Sequence, residues 1–287
     1  MLASIIDGKK ISKKIKKKLL NNVLNLIKNG NRVPVLAIIL VGNHSSSKSY
    51  INSNKKYCKE IGFMIVIYYF PYDIFEINIL ELIDQLNCSF YIDAILIQMP
   101  LPLKLSIKNI CENIIPNKDV DCINPYNIGR LFLQCPFFTP CTQKGIFSLL
   151  NFYNIKIFGL NALVLGNSNI VGKPISFELL LSGCNVTITN IYNSNLKFLI
   201  KKSDLLIVAL GKAKFIQGSW IKKGSIVIDV GINKLMNGIL VGDVDFKSAI
   251  KQASYITPVP GGVGTMTVSS LMQNTFKAYK YNNFIMK

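Results

Sequence analysis

Arginine is almost missing from this chain of 287 residues. Only Arg32 and Arg130 occur, although lysine and arginine together number 33. The formal net charge of +18 is therefore carried by lysine, a compact and strongly hydrated point charge. Base-edge readout and bidentate phosphate clamping draw on arginine forks. A solvated basic surface thus outweighs a nucleic-acid binder as the reading of this charge, although such a surface would also attract polyanionic ligands. Histidine is scarcer still, with His44 alone, so triad chemistry has little to draw on. The seven cysteines are Cys58, Cys88, Cys111, Cys122, Cys135, Cys141 and Cys184, and no Cys-x-x-Cys pair occurs. That argues against a zinc site and, by the odd count, against a disulfide framework. Most of these thiols read as buried small hydrophobes. No apolar run reaches the roughly 20 residues of a membrane helix. The basic stretch Lys9–Lys18 follows only a few apolar residues, the wrong order for a secretory signal. A cytoplasmic protein with no metal and no membrane partner is expected.

Core-forming material, by contrast, is ample, since 50% of the residues are hydrophobic. Short apolar runs alternate with amphipathic stretches. Val35–Val41, Met64–Phe70, Tyr91–Gln98, Ala162–Leu165, Asn185–Thr189, Leu205–Leu210 and Ser225–Val230 read as strands. Ile11, Ile15 and Leu19 mark a helix whose other face is lysine. This alternation predicts an α/β protein with parallel sheets flanked by helices. The segment Leu131–Pro140 has two prolines and no clear period, and a helix from about Lys144 starts a second unit. Two α/β domains follow, over residues 1–139 and 140–265.

In the second of these, the run Leu163–Leu165 leads into Gly166-Asn167-Ser168-Asn169-Ile170-Val171-Gly172-Lys173-Pro174. A strand, a glycine turn and a helix start are the context that a dinucleotide fingerprint requires. Gly166 permits the tight turn, Gly172 permits close approach of helix and sheet, and Pro174 suits the first helical turn. The middle glycine of the usual fingerprint is Ser168, so a hydroxyl can share the phosphate contact. The following strand ends Thr189-Asn190-Ile191, without the acid that would hold a ribose diol. Asp229 reads as a strand-end acid satisfied by nearby N–H groups.

Prolines and glycines crowd Thr257-Pro258-Val259-Pro260-Gly261-Gly262-Val263-Gly264. Such a loop is either a rigid elbow or a place where bare backbone meets a flat ligand. It follows Ile5-Ile6-Asp7-Gly8, Ser49-Tyr50-Ile51-Asn52-Ser53-Asn54-Lys55-Lys56, Gln98-Met99-Pro100-Leu101-Pro102, Lys118-Asp119-Val120-Asp121 and the Gly166–Pro174 turn. In order and spacing this set resembles the bifunctional methylenetetrahydrofolate dehydrogenase/methenyltetrahydrofolate cyclohydrolase family, over nearly the whole chain. The resemblance implies an N-terminal folate-binding domain and a Rossmann-like NAD(P)-binding domain. Its C-terminal helix, residues 266–287, returns to the first, with an active cleft between the two. It implies a homodimer in one-carbon metabolism, serving purine, histidine and methionine biosynthesis.

For the site, the resemblance implies that Tyr50 stacks on the folate rings, Gln98 supports the catalytic position, and Asp121 binds the pterin edge. Pro258, Gly261 and Gly262 complete the folate pocket. Gly166, Asn167, Ser168, Gly172, Ile191 and Ile232 hold the nucleotide, NADP by resemblance, with NAD open because no arginine stands near Asn190 or Ile191. Cys122 and Thr265 replace residues that are commonly Gly and Pro in the family. One departure is severe. Position 54 lies one helical turn from Tyr50 and faces the same way; the family places lysine there, and this chain has Asn54. Lys55 and Lys56 point elsewhere around the helix. Asparagine is no general acid or base near neutral pH. Hydride transfer needs no protein proton, whereas hydrolysis of the methenyl group does. Both activities are expected. A dehydrogenase with an impaired second step is the first alternative, and a non-enzymatic basic nucleic-acid binder is the second.

Overall fold

A computed structural model describes residues 2–285 of the protein. The chain opens with β1 (Ser4–Ile5), α1 (Gly8–Lys28), β2 (Val35–Val41), α2 (Ser45–Ile61) and β3 (Met64–Phe70). It continues through α3 (Glu76–Cys88), β4 (Ala94–Gln98), α4 (Ile107–Glu112), α5 (Pro125–Phe132) and α6 (Cys141–Phe152). Then come β5 (Asn161–Leu165), α7 (Gly172–Leu181), β6 (Asn185–Thr189), α8 (Leu196–Lys202), β7 (Leu205–Val208) and β8 (Ile226–Asp229). It closes with β9 (Asn233–Lys234), β10 (Leu240–Val241), α9 (Phe246–Ala249), β11 (Tyr255–Ile256) and α10 (Val263–Lys280). Two compact units result: Lys14–Cys141 with Val268–Lys287, and Met1–Lys13 with Thr142–Thr267. Among the described residues no helix is long and apolar enough to cross a membrane.

The first unit is built on a parallel sheet in the order β3-β2-β4. Every residue of β2 is buried, as expected of a central parallel strand covered on both faces. The period of two divides its side chains. Leu36, Ile38 and Leu40 meet Leu19 and Val23 of α1 and Leu271, Met272 and Phe276 of α10. Ala37, Ile39 and Val41 meet Ile79, Ile83 and Leu86 of α3. The expected strand from Tyr91 begins only at Ala94, and Tyr91 is exposed. Asp93 accounts for the difference. Its carboxylate takes both terminal nitrogens of Arg32, each at 2.7 Å, and the Val35 N–H at 2.9 Å, which bends the chain just before the strand.

The loop after α4 is pinned by Lys118. Its buried ammonium donates to the carbonyls of Leu86, Asn87 and Ser89 at 2.7, 2.8 and 2.7 Å. It thereby caps the carboxyl end of α3, where cations are favoured. Burial pushes this ammonium down to about 8. Next to it, Asp119 accepts from the Ile123 and Asn124 N–H groups and from Asn127. Lys118→Met removes the donor from three carbonyls, one buried and two partly buried, and is expected to lower stability by about 2–4 kcal/mol. Urea unfolding of the two proteins checks this.

The second unit holds a parallel sheet in the order β1-β11-β8-β7-β5-β6. The middle strands β7 and β8 are wholly buried, while edge strand β6 exposes Asn185, Thr187 and Ile188. The two-residue strand β1 pairs with β11, Ser4 opposite Tyr255 and Ile5 opposite Ile256. The N-terminal segment through Lys13 clusters with this unit. Strand β5 has β6 on one side and β7 on the other, so the chain reverses its direction of winding there. In open α/β sheets, ligands bind outside the carboxyl ends of the strands at such a switch point.

Candidate functional site

Gly166 directly follows β5 at that switch point. Its φ is +116°, and a Cβ there would lie 2.2 Å from the carbonyl oxygen of Ala209, just past β7. Gly172 starts α7 so close to the turn that a Cβ would lie 1.9 Å from the Gly166 oxygen. Both glycines are therefore required by backbone proximity. Ser168 does what a glycine could not. Its Oγ accepts the N–H groups of Val171 and Gly172 at 3.2 and 3.3 Å, and its carbonyl accepts from Lys173. With the oxygen engaged as acceptor, the hydroxyl proton is left to donate. Lys173 Nζ meets Asn169 Oδ1 at 2.7 Å, and Gln143 Nε2 donates to the carbonyls of Ile170 and Val171, steadying the loop. At the end of β6, Asn190 Oδ1 accepts from the Tyr192 N–H, and Ile191 is half-buried.

On α7, Glu178 has a buried Oε2 with no hydrogen-bond partner among the described residues. Burial pushes this carboxyl up to about 7 from an ordinary value of 4.5. The folded state therefore holds the proton more tightly than the unfolded chain. Its stabilising contribution is complete below about 4.5 and is lost as pH rises through about 7. Glu178→Gln should match the parent protein near pH 4.5 and exceed it at pH 8, by no more than about 3 kcal/mol. Thermal unfolding across that range is the check.

At the end of β8, Asp229 accepts the N–H groups of Gly231, Asp243 and Val244 at 3.0, 3.0 and 2.9 Å. Burial nonetheless pushes its carboxyl up to about 7. Asp243, an unmarked loop acid in the sequence, accepts from Leu210, Gly211, Lys212 and Asn233. The two acids together tie the loop after β7 to the loop carrying Ile232. Ile232 is exposed and packs beside Gly264, whose added Cβ would lie 2.7 Å from Ile232 Cδ1. The Pro258–Gly264 loop holds a cis Val259–Pro260 bond and Gly261 at φ +109°. Gly8 lies against it, donating to the Gly261 carbonyl at 2.9 Å, and a Cβ on Gly8 would come within 2.3 Å of the Gly262 oxygen. Asp7 Oδ1 caps the start of α1 by accepting from Lys9 at 2.8 Å.

In the first unit, Tyr50 and Asn54 share one face of α2, as the spacing predicts. Asn54 is fully buried, and neither its Oδ1 nor its Nδ2 has a partner among the described residues. Lys55 and Lys56 are exposed. Gln98 ends β4, as expected. It donates to the Met99 carbonyl, while its Oε1 is buried and has no donor among the described residues. A cis Met99–Pro100 bond follows. Tyr50 packs against the core, and its phenol is held well above its usual range by burial and then by the charges of Asp121 and Cys141. Asp121 is likewise raised by burial, offset by a hydrogen bond from the Cys141 thiol. Tyr50, Asp121 and Cys141 are thus brought together.

Cys141 and Asn274 were not singled out from the sequence. The thiol, with one proton to share, also lies 3.3 Å from the Val120 carbonyl oxygen, and Asn274 Nδ2 donates to the carbonyls of Val120 and Thr139. Their signal was faint: a Thr-Pro dipeptide before a helix start, and a polar residue on an apolar helix face. Cys122 has φ +60°, a left-handed conformation open to glycine. Thr265 lies in the first turn of α10, where proline is tolerated. Both departures fall where the local backbone explains the residue usual in the family.

Two family models match this chain. Residues 6–121 match the tetrahydrofolate dehydrogenase/cyclohydrolase catalytic domain, and residues 140–283 match the NAD(P)-binding domain of the same family. A bifunctional methylenetetrahydrofolate dehydrogenase/cyclohydrolase from Campylobacter jejuni is 41% identical at a TM-score of 0.93, over 97% of this chain and 99% of that one. The Trypanosoma brucei methylenetetrahydrofolate dehydrogenase-cyclohydrolase, solved with NADP and an inhibitor, is 33% identical at a TM-score of 0.93. It covers 98% of each chain. A 5,10-methylenetetrahydrofolate dehydrogenase from the silkworm Bombyx mori is 36% identical at a TM-score of 0.90, over 97% of this chain and 98% of that one.

Proposed function

Since the chain belongs to the tetrahydrofolate dehydrogenase/cyclohydrolase family, we propose that it oxidises 5,10-methylenetetrahydrofolate with NADP and hydrolyses the 5,10-methenyl product to 10-formyltetrahydrofolate. The single observation that carries this reading is the cluster of Tyr50 and Asp121 beside a buried, unpaired amide at position 54. The flat ring of Tyr50 can stack on an aromatic ligand. The Asp121 carboxylate accepts the paired N–H and amine of a pterin edge. The Cys141 thiol and the Asn274 bonds hold the Asp121 segment in place.

NADP, when bound, supplies the nicotinamide that accepts the hydride. Gly166 and Gly172 give it a tight turn, and Ser168 offers a hydroxyl proton to phosphate. Asn167, Ile191 and Ile232 line the remainder. No acid stands at the end of β6 to repel a 2′-phosphate, which supports NADP while leaving NAD usable. The hydrolytic step must activate water without a lysine at position 54 and is therefore the slower of the two. By family likeness alone, the proposal extends to a cytoplasmic homodimer supplying purine, histidine and methionine biosynthesis.

Asp121→Asn keeps the shape and removes the charge. It is expected to weaken tetrahydrofolate binding about 10- to 100-fold, the worth of a charge-assisted pair of hydrogen bonds, and to leave NADP binding unchanged. Equilibrium titration with each ligand decides the matter. Unchanged folate affinity would remove Asp121 from the site.

A further inference from the structure

A cavity of about 380 Å³ opens in the second unit, lined by Lys156, Lys222, Lys223, Asp204, Ser225 and Ser254 among others. It lies away from the nucleotide turn. Asp204 precedes β7, Ser225 precedes β8 and Ser254 precedes β11, so it sits at the amino ends of the strands whose carboxyl ends carry Gly166 and Asp229. Strands of four or five residues separate the two ends by roughly 15 Å. Cavities of this size take small molecules.

The chemistry of the wall selects for an anion. Three lysines face one aspartate, a balance of +3 − 1 = +2. Asp204 is already committed: one oxygen pairs with Lys222 and the other accepts the Asn161 N–H at 3.0 Å. Lys156 and Lys223 have no ion-pair partner among the described residues, and both are exposed. The second observation is independent of charge. Ser225 is 97% buried (3% exposed), and its hydroxyl has no hydrogen-bond partner among the described residues. A buried hydroxyl without a partner is unfavourable unless something meets it. Ser254 closes the same wall, its Oγ donating to the Ser225 carbonyl at 3.2 Å.

We propose that this cavity is a second ligand site, for a small phosphate monoester, with Lys156 and Lys223 neutralising the phosphate and the Ser225 hydroxyl donating to it. A phosphate monoester carries close to two negative charges at neutral pH, which matches the charge of the wall. Ammonium groups on flexible stems suit phosphate as point charges.

The test uses the whole protein saturated with NADP, so that the nucleotide site is filled. Inorganic phosphate and then ribose 5-phosphate are titrated by calorimetry, against sodium chloride of equal ionic strength. The expected result is saturable binding of one equivalent of each anion, tighter for ribose 5-phosphate. It should weaken at least tenfold in Lys156→Gln/Lys223→Gln and several-fold in Ser225→Ala, with the dehydrogenase rate unchanged in both. No saturable binding, or equal affinity in the parent and the double variant, overturns the site. Ribose 5-phosphate binding no more tightly than phosphate overturns the assignment to an organic monoester.

Discussion

Asn54→Lys is expected to accelerate hydrolysis of methenyltetrahydrofolate by about 10²- to 10⁴-fold, the usual worth of a positioned general acid–base group. Hydride transfer to NADP should change little, because it depends on holding two rings in register rather than on moving a proton. The structure supplies both halves of the reason. Position 54 is buried on the Tyr50 face of α2, so a lysine there would face the same surroundings as Tyr50 and lose part of its hydration. Desolvation favours the neutral amine and moves it toward the working pH. Gln98 Oε1, by family likeness the partner of such a lysine, is also buried and has no donor among the described residues. Loss of the methenyl absorbance, compared between the two proteins at equal concentration, measures the effect. A variant that folds, oxidises methylenetetrahydrofolate and still hydrolyses at the parent rate would show that another group already performs the proton transfer.

Gly172→Ala should abolish useful NADP affinity, with a loss of at least about 100-fold, or roughly 3 kcal/mol. The added methyl would lie 1.9 Å from the Gly166 carbonyl oxygen, and the nearest atoms are all backbone, so no side chain can swing away. Either the turn opens or α7 shifts, and both would spoil the proposed phosphate site. Gly129→Ala is the matched control. That glycine is in α5 with nothing within 4 Å of an added Cβ, and alanine there should stabilise the helix by about 0.5–1 kcal/mol. Fluorescence titration with NADP, paired with thermal unfolding, separates loss of the site from loss of the fold.

Much of the architecture was legible because it rests on long, repeated patterns. Val35–Val41 and Met64–Phe70 are uninterrupted apolar runs, and both appear as strands with those bounds. The Gly166–Gly172 turn declared itself by its position between a strand and a helix. Tyr50 and Asn54 could be placed on one face by helical spacing alone. Features made of few residues were hidden. Strands β1 and β11 have two residues each and take their form from the neighbouring sheet rather than from any period. Lys118 looks like a surface lysine until the carboxyl end of α3 arrives beside it. Cys141 resembles any buried thiol, and only the fold shows it donating to Asp121. Asp243 is an ordinary loop acid in the sequence and becomes the hub of four hydrogen bonds in the structure.

The most direct measurement is a paired absorbance assay on the purified parent protein. Methylenetetrahydrofolate with NADP reports the oxidation, and methenyltetrahydrofolate alone reports the hydrolysis. The structure predicts reduced nicotinamide at an enzymatic rate, together with methenyl decay above the buffer rate but slower than the oxidation. Absence of NADP reduction with methylenetetrahydrofolate would contradict the assignment of Tyr50, Asp121 and the Gly166 turn to one folate-oxidising enzyme.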